Sequence, residues 1–172
     1  KGGVDPVLTR ERYPRIAEVP FDAAYKFMAT FHRMTDADGR EVVRCYVKGA
    51  PDQLLARADF ITLHTPLTDK TRNILSAENL AKTKKGVKII NCARGGLVDE
   101  AALRKLLDEG HIGGAAFDVF VEEPAKENVL FGAENFIATP HLGASTNEAQ
   151  ENVALQVAEQ MSDYLLTGAV TT

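Results

Sequence analysis

From Asp59 onward, short apolar runs alternate with capped helical stretches, and no other feature constrains the fold as strongly. Asp59 to His64 reads as an apolar strand, Val87 to Cys92 (VKIINC) as a buried-type strand, and Ala115 to Val119 and Phe136 to Thr139 as two more. Between them, Ser76 can cap a helix running to about Thr83, and Asp99 a helix running through Glu109, which Gly110 ends. Ser145 and Glu148 form a capping box for a long last helix that Gly168 stops. In that helix Val153, Val157, Met161, Tyr164 and Leu165 fall on one face. Alternation of this kind predicts an α/β fold with a parallel sheet covered on both faces.

The first third reads differently. After a proline-bearing loop to Pro14, strands are expected over Ile16 to Val19, Lys26 to Met34 and Glu41 to Val47. The last two form an antiparallel hairpin around the polar turn Thr35 to Gly39. A short helix follows at Asp52 to Arg57, with Pro51 at its start. The hairpin is expected at the edge of the parallel sheet, against the strand at 59–64, because a bare apolar edge invites pairing. The expected organisation is therefore two units, residues 1–57 and 58–172, and the opening Lys1-Gly2-Gly3 reads like that of an excised segment.

The 172 residues are 45% hydrophobic, so the chain can build a core. A formal net charge of -4 argues against nucleic acid as a partner. No apolar run is long enough to span a bilayer, and no cleavable signal pattern opens the chain. Cys45 and Cys92 sit in separate apolar runs and read as buried thiols of a reducing, cytoplasmic compartment. Neither has a metal-ligand spacing, so no metal site is expected.

Three motifs lie just after strands, where open α/β sheets carry their sites. In Asn91-Cys92-Ala93-Arg94-Gly95-Gly96, the glycines allow a tight turn and Arg94 can grip a carboxylate bidentately. Phe117-Asp118-Val119-Phe120-Val121-Glu122-Glu123-Pro124 ends a strand in acidic residues. In Thr139-Pro140-His141-Leu142-Gly143, His141 suits general acid–base work, and Glu123 is a plausible carboxylate to fix its tautomer. Taken singly, each also reads as an ordinary surface Arg, a solvated acidic loop or a helix-entry His. The three together are harder to attribute to coincidence.

With these motifs on it, the run from about Leu54 to Val170 resembles the D-isomer-specific 2-hydroxyacid dehydrogenases, in particular their 3-phosphoglycerate dehydrogenase branch. The resemblance implies a partial Rossmann-like domain that uses NAD on a 2-hydroxy acid. It implies Arg94 for the substrate carboxylate, His141 as acid/base, Glu123 as its partner, and Asp118 against the nicotinamide amide. Thr65, Pro66, Cys92, Ala93 and Gly143 match positions lining the nicotinamide side. The phosphate-gripping GxGxxG of that family is not in this sequence, so catalysis is expected to be incomplete.

The first fifty-odd residues resemble the nucleotide-binding domain of P-type cation-transporting ATPases, through Tyr13-Pro14-Arg15, Tyr25-Lys26-Phe27 and Val47-Lys48-Gly49-Ala50-Pro51. That resemblance implies Phe21 stacking on adenine, Lys26 and Lys48 lining a weak ATP site, and a chimera joined within residues 52–59. The alternatives to a dehydrogenase fragment are thus an ATP-binding module and a fold chimera without activity. A sheet edge or the last helix would serve a homodimer.

Overall fold

The computed structural model describes residues 5–168 and contains two separate sheets. A first helix, α1 (Pro6–Arg12), precedes a three-stranded antiparallel sheet of β1 (Arg15–Asp22), β2 (Phe27–Thr35) and β3 (Glu41–Gly49). The stretch up to Pro14, expected as loop, is largely helical. Asp5 nucleates α1 instead, its carboxylate accepting the Val7 and Leu8 N–H groups at 2.7 and 3.2 Å. Lys1-Gly2-Gly3 lies outside the described residues.

A four-stranded parallel sheet follows, in the order β4 (Phe60–Leu63), β5 (Val87–Asn91), β6 (Ile112–Phe117) and β7 (Phe136–Ala138). Between the sheets runs the short α2 (Pro51–Leu54), and the parallel strands are linked by α3 (Ala77–Ala81) and α4 (Glu100–Asp108). The chain ends in α5 (Leu142–Ser145) and the long α6 (Asn147–Thr167).

The α/β class stands, but the expected attachment of the hairpin to the sheet edge does not. Among the described residues strand β4 pairs only with β5, while β2 pairs on both sides within its own sheet. Consecutive strands joined by tight turns satisfy one another's backbone groups first. Asp36 fixes the second turn by accepting the Asp38 and Arg40 N–H groups at 2.9 Å each.

Burial along the parallel sheet alternates, which corrects the expectation of two covered faces. Leu63, Val87, Ile89, Ala115 and Phe117 are buried on one face and join Leu80, Leu97, Leu103, Leu107 and Leu130 in a single core. On the other face Phe60 and Lys88 are exposed, with the ammonium 5.0 Å from the ring centroid, and Ile137 stands 64% exposed. The apolar stripe of helix α6, which predicted packing, is uncovered among the described residues: Val153, Val157, Met161, Tyr164 and Leu165 are all exposed.

Three further local expectations shift. The last helix is capped by Thr146, which accepts the Ala149 N–H at 3.1 Å, and not by Ser145, whose hydroxyl donates to the His141 carbonyl at 2.9 Å. Strand β6 starts earlier than the composition suggests because Gly113 hides it. A Cβ there would lie 2.5 Å from the Gly86 carbonyl oxygen, so only glycine lets the two backbones approach. Both cysteines are exposed. Cys45 lies on β3 in a sheet with little cover, and Cys92 follows β5 at its open carboxyl end.

Candidate active site

Strands β5, β6 and β7 are adjacent and parallel, so Asn91, Phe117 and Ala138 end side by side and the three motifs emerge from the same end of the sheet. Asn91 is 1% exposed and shapes the first loop: its amide donates to the Arg94 carbonyl at 2.9 Å and accepts the Ala93 N–H at 3.1 Å. Arg94 is exposed, and its guanidinium donates to the Ala93 carbonyl at 2.6 Å. Gly95 lies against the backbone of the second loop, where a Cβ would sit 2.0 Å from the Phe120 carbonyl oxygen.

The second loop holds the third. Glu123 accepts the Phe120 N–H at 2.9 Å on one oxygen and meets His141 Nδ1 at 2.6 Å on the other. The Phe120 N–H and the imidazole hold the Glu123 carboxyl below its ordinary 4.5, against burial that pushes it up. Glu123 is therefore ionised and can only accept, so Nδ1 carries the proton and donates. Nε2 has no hydrogen-bond partner among the described residues. Asp118 is 8% exposed and accepts from the Thr139 hydroxyl at 2.6 Å and the Leu142 N–H at 2.8 Å on one oxygen, and from the Gly143 N–H at 3.2 Å on the other. Burial pushes its carboxyl up, but the hydroxyl, the two N–H groups and the nearby imidazole outweigh it and leave the group lowered.

Both carboxylates thus stabilise the fold most where they are ionised. A group with a depressed folded value contributes fully above its ordinary value, 4.5 for Glu123 and 3.8 for Asp118. The contribution is lost as pH falls through the lower folded value.

Sequence reasoning missed Asn91, Thr139 and the Phe120 N–H. Only Asn91 left a signal: an Asx residue closing an apolar strand just before a glycine turn. Of the residues assigned to a nicotinamide pocket, Cys92 follows β5 and Gly143 lies in the Asp118 cluster. Thr65 and Pro66 follow β4, and the Thr65 hydroxyl oxygen is buried with no hydrogen-bond partner among the described residues. Phe21 and Lys48 lie on β1 and β3 of the three-stranded sheet, and Lys26 in the turn between β1 and β2. Phe21 is 65% exposed and Lys26 pairs with Asp52 at 3.6 Å.

The profile of the D-isomer specific 2-hydroxyacid dehydrogenase NAD binding domain matches residues 16–143. The chain belongs to this family. Among its relatives, the D-3-phosphoglycerate dehydrogenase of Bacillus subtilis (strain 168) is 57% identical over 113 residues, which are 66% of this chain and 22% of that protein. The Homo sapiens enzyme of the same name is 47% identical over 123 residues, 69% of this chain and 23% of its own length. The chain therefore spans about a fifth of the length of the curated relatives it matches. A glyoxylate reductase from Paecilomyes thermophila superposes with a TM-score of 0.66 at 36% identity, covering 71% of this chain and 37% of the other. A D-isomer specific 2-hydroxyacid dehydrogenase from Xanthobacter autotrophicus Py2, in complex with NADPH and MES, gives 0.57 at 38% identity, covering 66% and 46%.

The family match begins at residue 16 and runs through the segment read as ATPase-like. No relative or solved structure named above supports that resemblance or ATP binding. No helix among the described residues is long and apolar enough to cross a membrane.

Proposed function

We propose that this chain carries the acid–base part of an NAD-linked D-2-hydroxyacid dehydrogenase site, of the 3-phosphoglycerate dehydrogenase type. The observation that carries this reading is the 2.6 Å contact of His141 Nδ1 with Glu123 at the carboxyl ends of parallel strands, in a chain of this family. With Nδ1–H held by an ionised carboxylate, Nε2 is the basic nitrogen and takes the proton of a substrate hydroxyl. Glu123 then stabilises the imidazolium that forms, as a carboxylate behind a catalytic histidine does. Arg94, free of any carboxylate partner among the described residues, receives the substrate carboxylate.

The residues present suit the nicotinamide end of the cofactor. The unpartnered Thr65 hydroxyl is a buried polar group that awaits a partner. Pro66, Cys92, Ala93 and Gly143 would line the same end, and Asp118 would meet the nicotinamide amide. When bound, NAD supplies the hydride acceptor. Its pyrophosphate is held in this fold by a glycine loop at a helix N-terminus, and the GxGxxG that forms such a loop is not in the sequence. Positioning can supply roughly 7–11 kcal/mol toward a reaction of this kind. Without that grip the chain by itself is expected to bind the dinucleotide weakly and to turn over no substrate.

The test is a backbone and side-chain NMR titration with NAD and D-3-phosphoglycerate together. Shifts are expected at Arg94, His141, Thr65 and Cys92, with no NADH formed in the same sample. Shifts confined to Phe21, Lys26 and Lys48 would refute the reading.

A further inference from the structure

His141 sits in the left-handed region at φ 55° and ψ 53°, which disfavours a residue with a Cβ. Something must hold it there, and the surrounding bonds identify the group. Two residues before it the Thr139 hydroxyl, and directly after it the Leu142 and Gly143 N–H groups, all donate to the single carboxylate of Asp118. That carboxylate is itself anchored. The Asp118 N–H donates to the Asn91 carbonyl at 3.0 Å and the Thr139 N–H to the Phe117 carbonyl at 2.9 Å, so both ends of the clamp are tied to the sheet.

We propose that Asp118 is the positioning residue of the acid–base pair: by gripping the Thr139 hydroxyl before His141 and the Leu142 and Gly143 N–H groups after it, Asp118 holds the left-handed turn that aims Nδ1 at Glu123. This rests on the functional reading above and goes beyond the nicotinamide contact that the family resemblance assigns to Asp118. Both groups that fix His141 then come from the same strand end. Asp118 fixes its backbone, and five residues later Glu123 fixes its ring.

The inference predicts that loosening the clamp releases the ring without touching Glu123. The experiment uses the full chain with isotope-labelled histidine. It reads the His141 ring tautomer by nitrogen chemical shift, and amide exchange at Leu142 and Gly143 against Ile89 in the core. Asp118→Asn removes a charge close to the imidazole and turns one of the two accepting oxygens into a donor, so the deciding pair is uncharged: Thr139→Val and Thr139→Ser. Thr139→Val is expected to raise exchange at Leu142 and Gly143 about tenfold relative to Ile89, and to shift the ring away from the Nδ1–H tautomer. Thr139→Ser, which keeps the hydroxyl, restores both, and Asp118→Asn goes further than Thr139→Val. Unchanged tautomer and exchange in Thr139→Val would overturn the proposal, as would failure of Thr139→Ser to restore them. Should Asp118→Asn not fold, the threonine pair still decides. No readout requires cofactor or substrate, so the outcome is independent of whether the chain binds either.

Discussion

Phe117→Ala is expected to lower unfolding stability by about 3–5 kcal/mol, the range for truncating a fully buried aromatic. Phe117 is 2% exposed at the end of β6, a central strand. Its ring meets Phe136 edge-on with centroids 5.6 Å apart, and Phe120 at 6.3 Å. Because only one face of the parallel sheet is covered among the described residues, no second core layer is there to absorb the cavity. A domain of this size has roughly 5–15 kcal/mol in total, so the loss is a large share of it. The damage also reaches the site, since Asp118 follows Phe117 directly and the Phe117 carbonyl receives the Thr139 N–H. Urea unfolding followed by circular dichroism measures it. A loss under about 1 kcal/mol would mean that the ring is not the keystone of this core.

Gly95→Ala adds one methyl group and is expected to cost about 1–3 kcal/mol, the usual range for overpacking, at its upper end here. The added carbon would sit 2.0 Å from the Phe120 carbonyl oxygen and 2.5 Å from the Val121 nitrogen. Neither is a flexible side chain that can swing away, so the two loops must separate. The Phe120 N–H that anchors Glu123 moves with them, and the Glu123–His141 contact loosens. Gly39→Ala is the contrast: no atom lies within 4 Å, and only the left-handed φ of +79° is strained. Equal denaturation midpoints for Gly95→Ala and the unaltered chain would show that the loops do not touch as described.

What could be read from the sequence follows from how locally each feature is encoded. The caps at Ser76 and Asp99 and the stop at Gly168 depend on residues within one turn, and all three form where the sequence places them. The Glu123–His141 contact was anticipated because the motifs that end adjacent parallel strands are few. The sequence marks strand β6 only from Ala115 because Gly113 and Gly114 lack strand propensity, while the close approach to Gly86 that requires Gly113 is a tertiary fact. The separate three-stranded sheet, the open face under Phe60 and Lys88 and the exposed thiols of Cys45 and Cys92 depend on which element covers which, and periodicity carries no record of that. For Asp118 the family resemblance implies a ligand contact, whereas its three bonds to the 139–143 segment depend on the loops lying side by side, which no local pattern encodes.

At the centre of this account is an ionised Glu123 working as one unit with His141, and the most direct measurement is the carbon-13 titration of the Glu123 carboxyl by NMR. Its midpoint should lie below the ordinary 4.5 and rise toward that value in His141→Ala, because the imidazole is one of the two donors that hold it down. A midpoint at or above 4.5, or one that His141→Ala leaves unmoved, would contradict it.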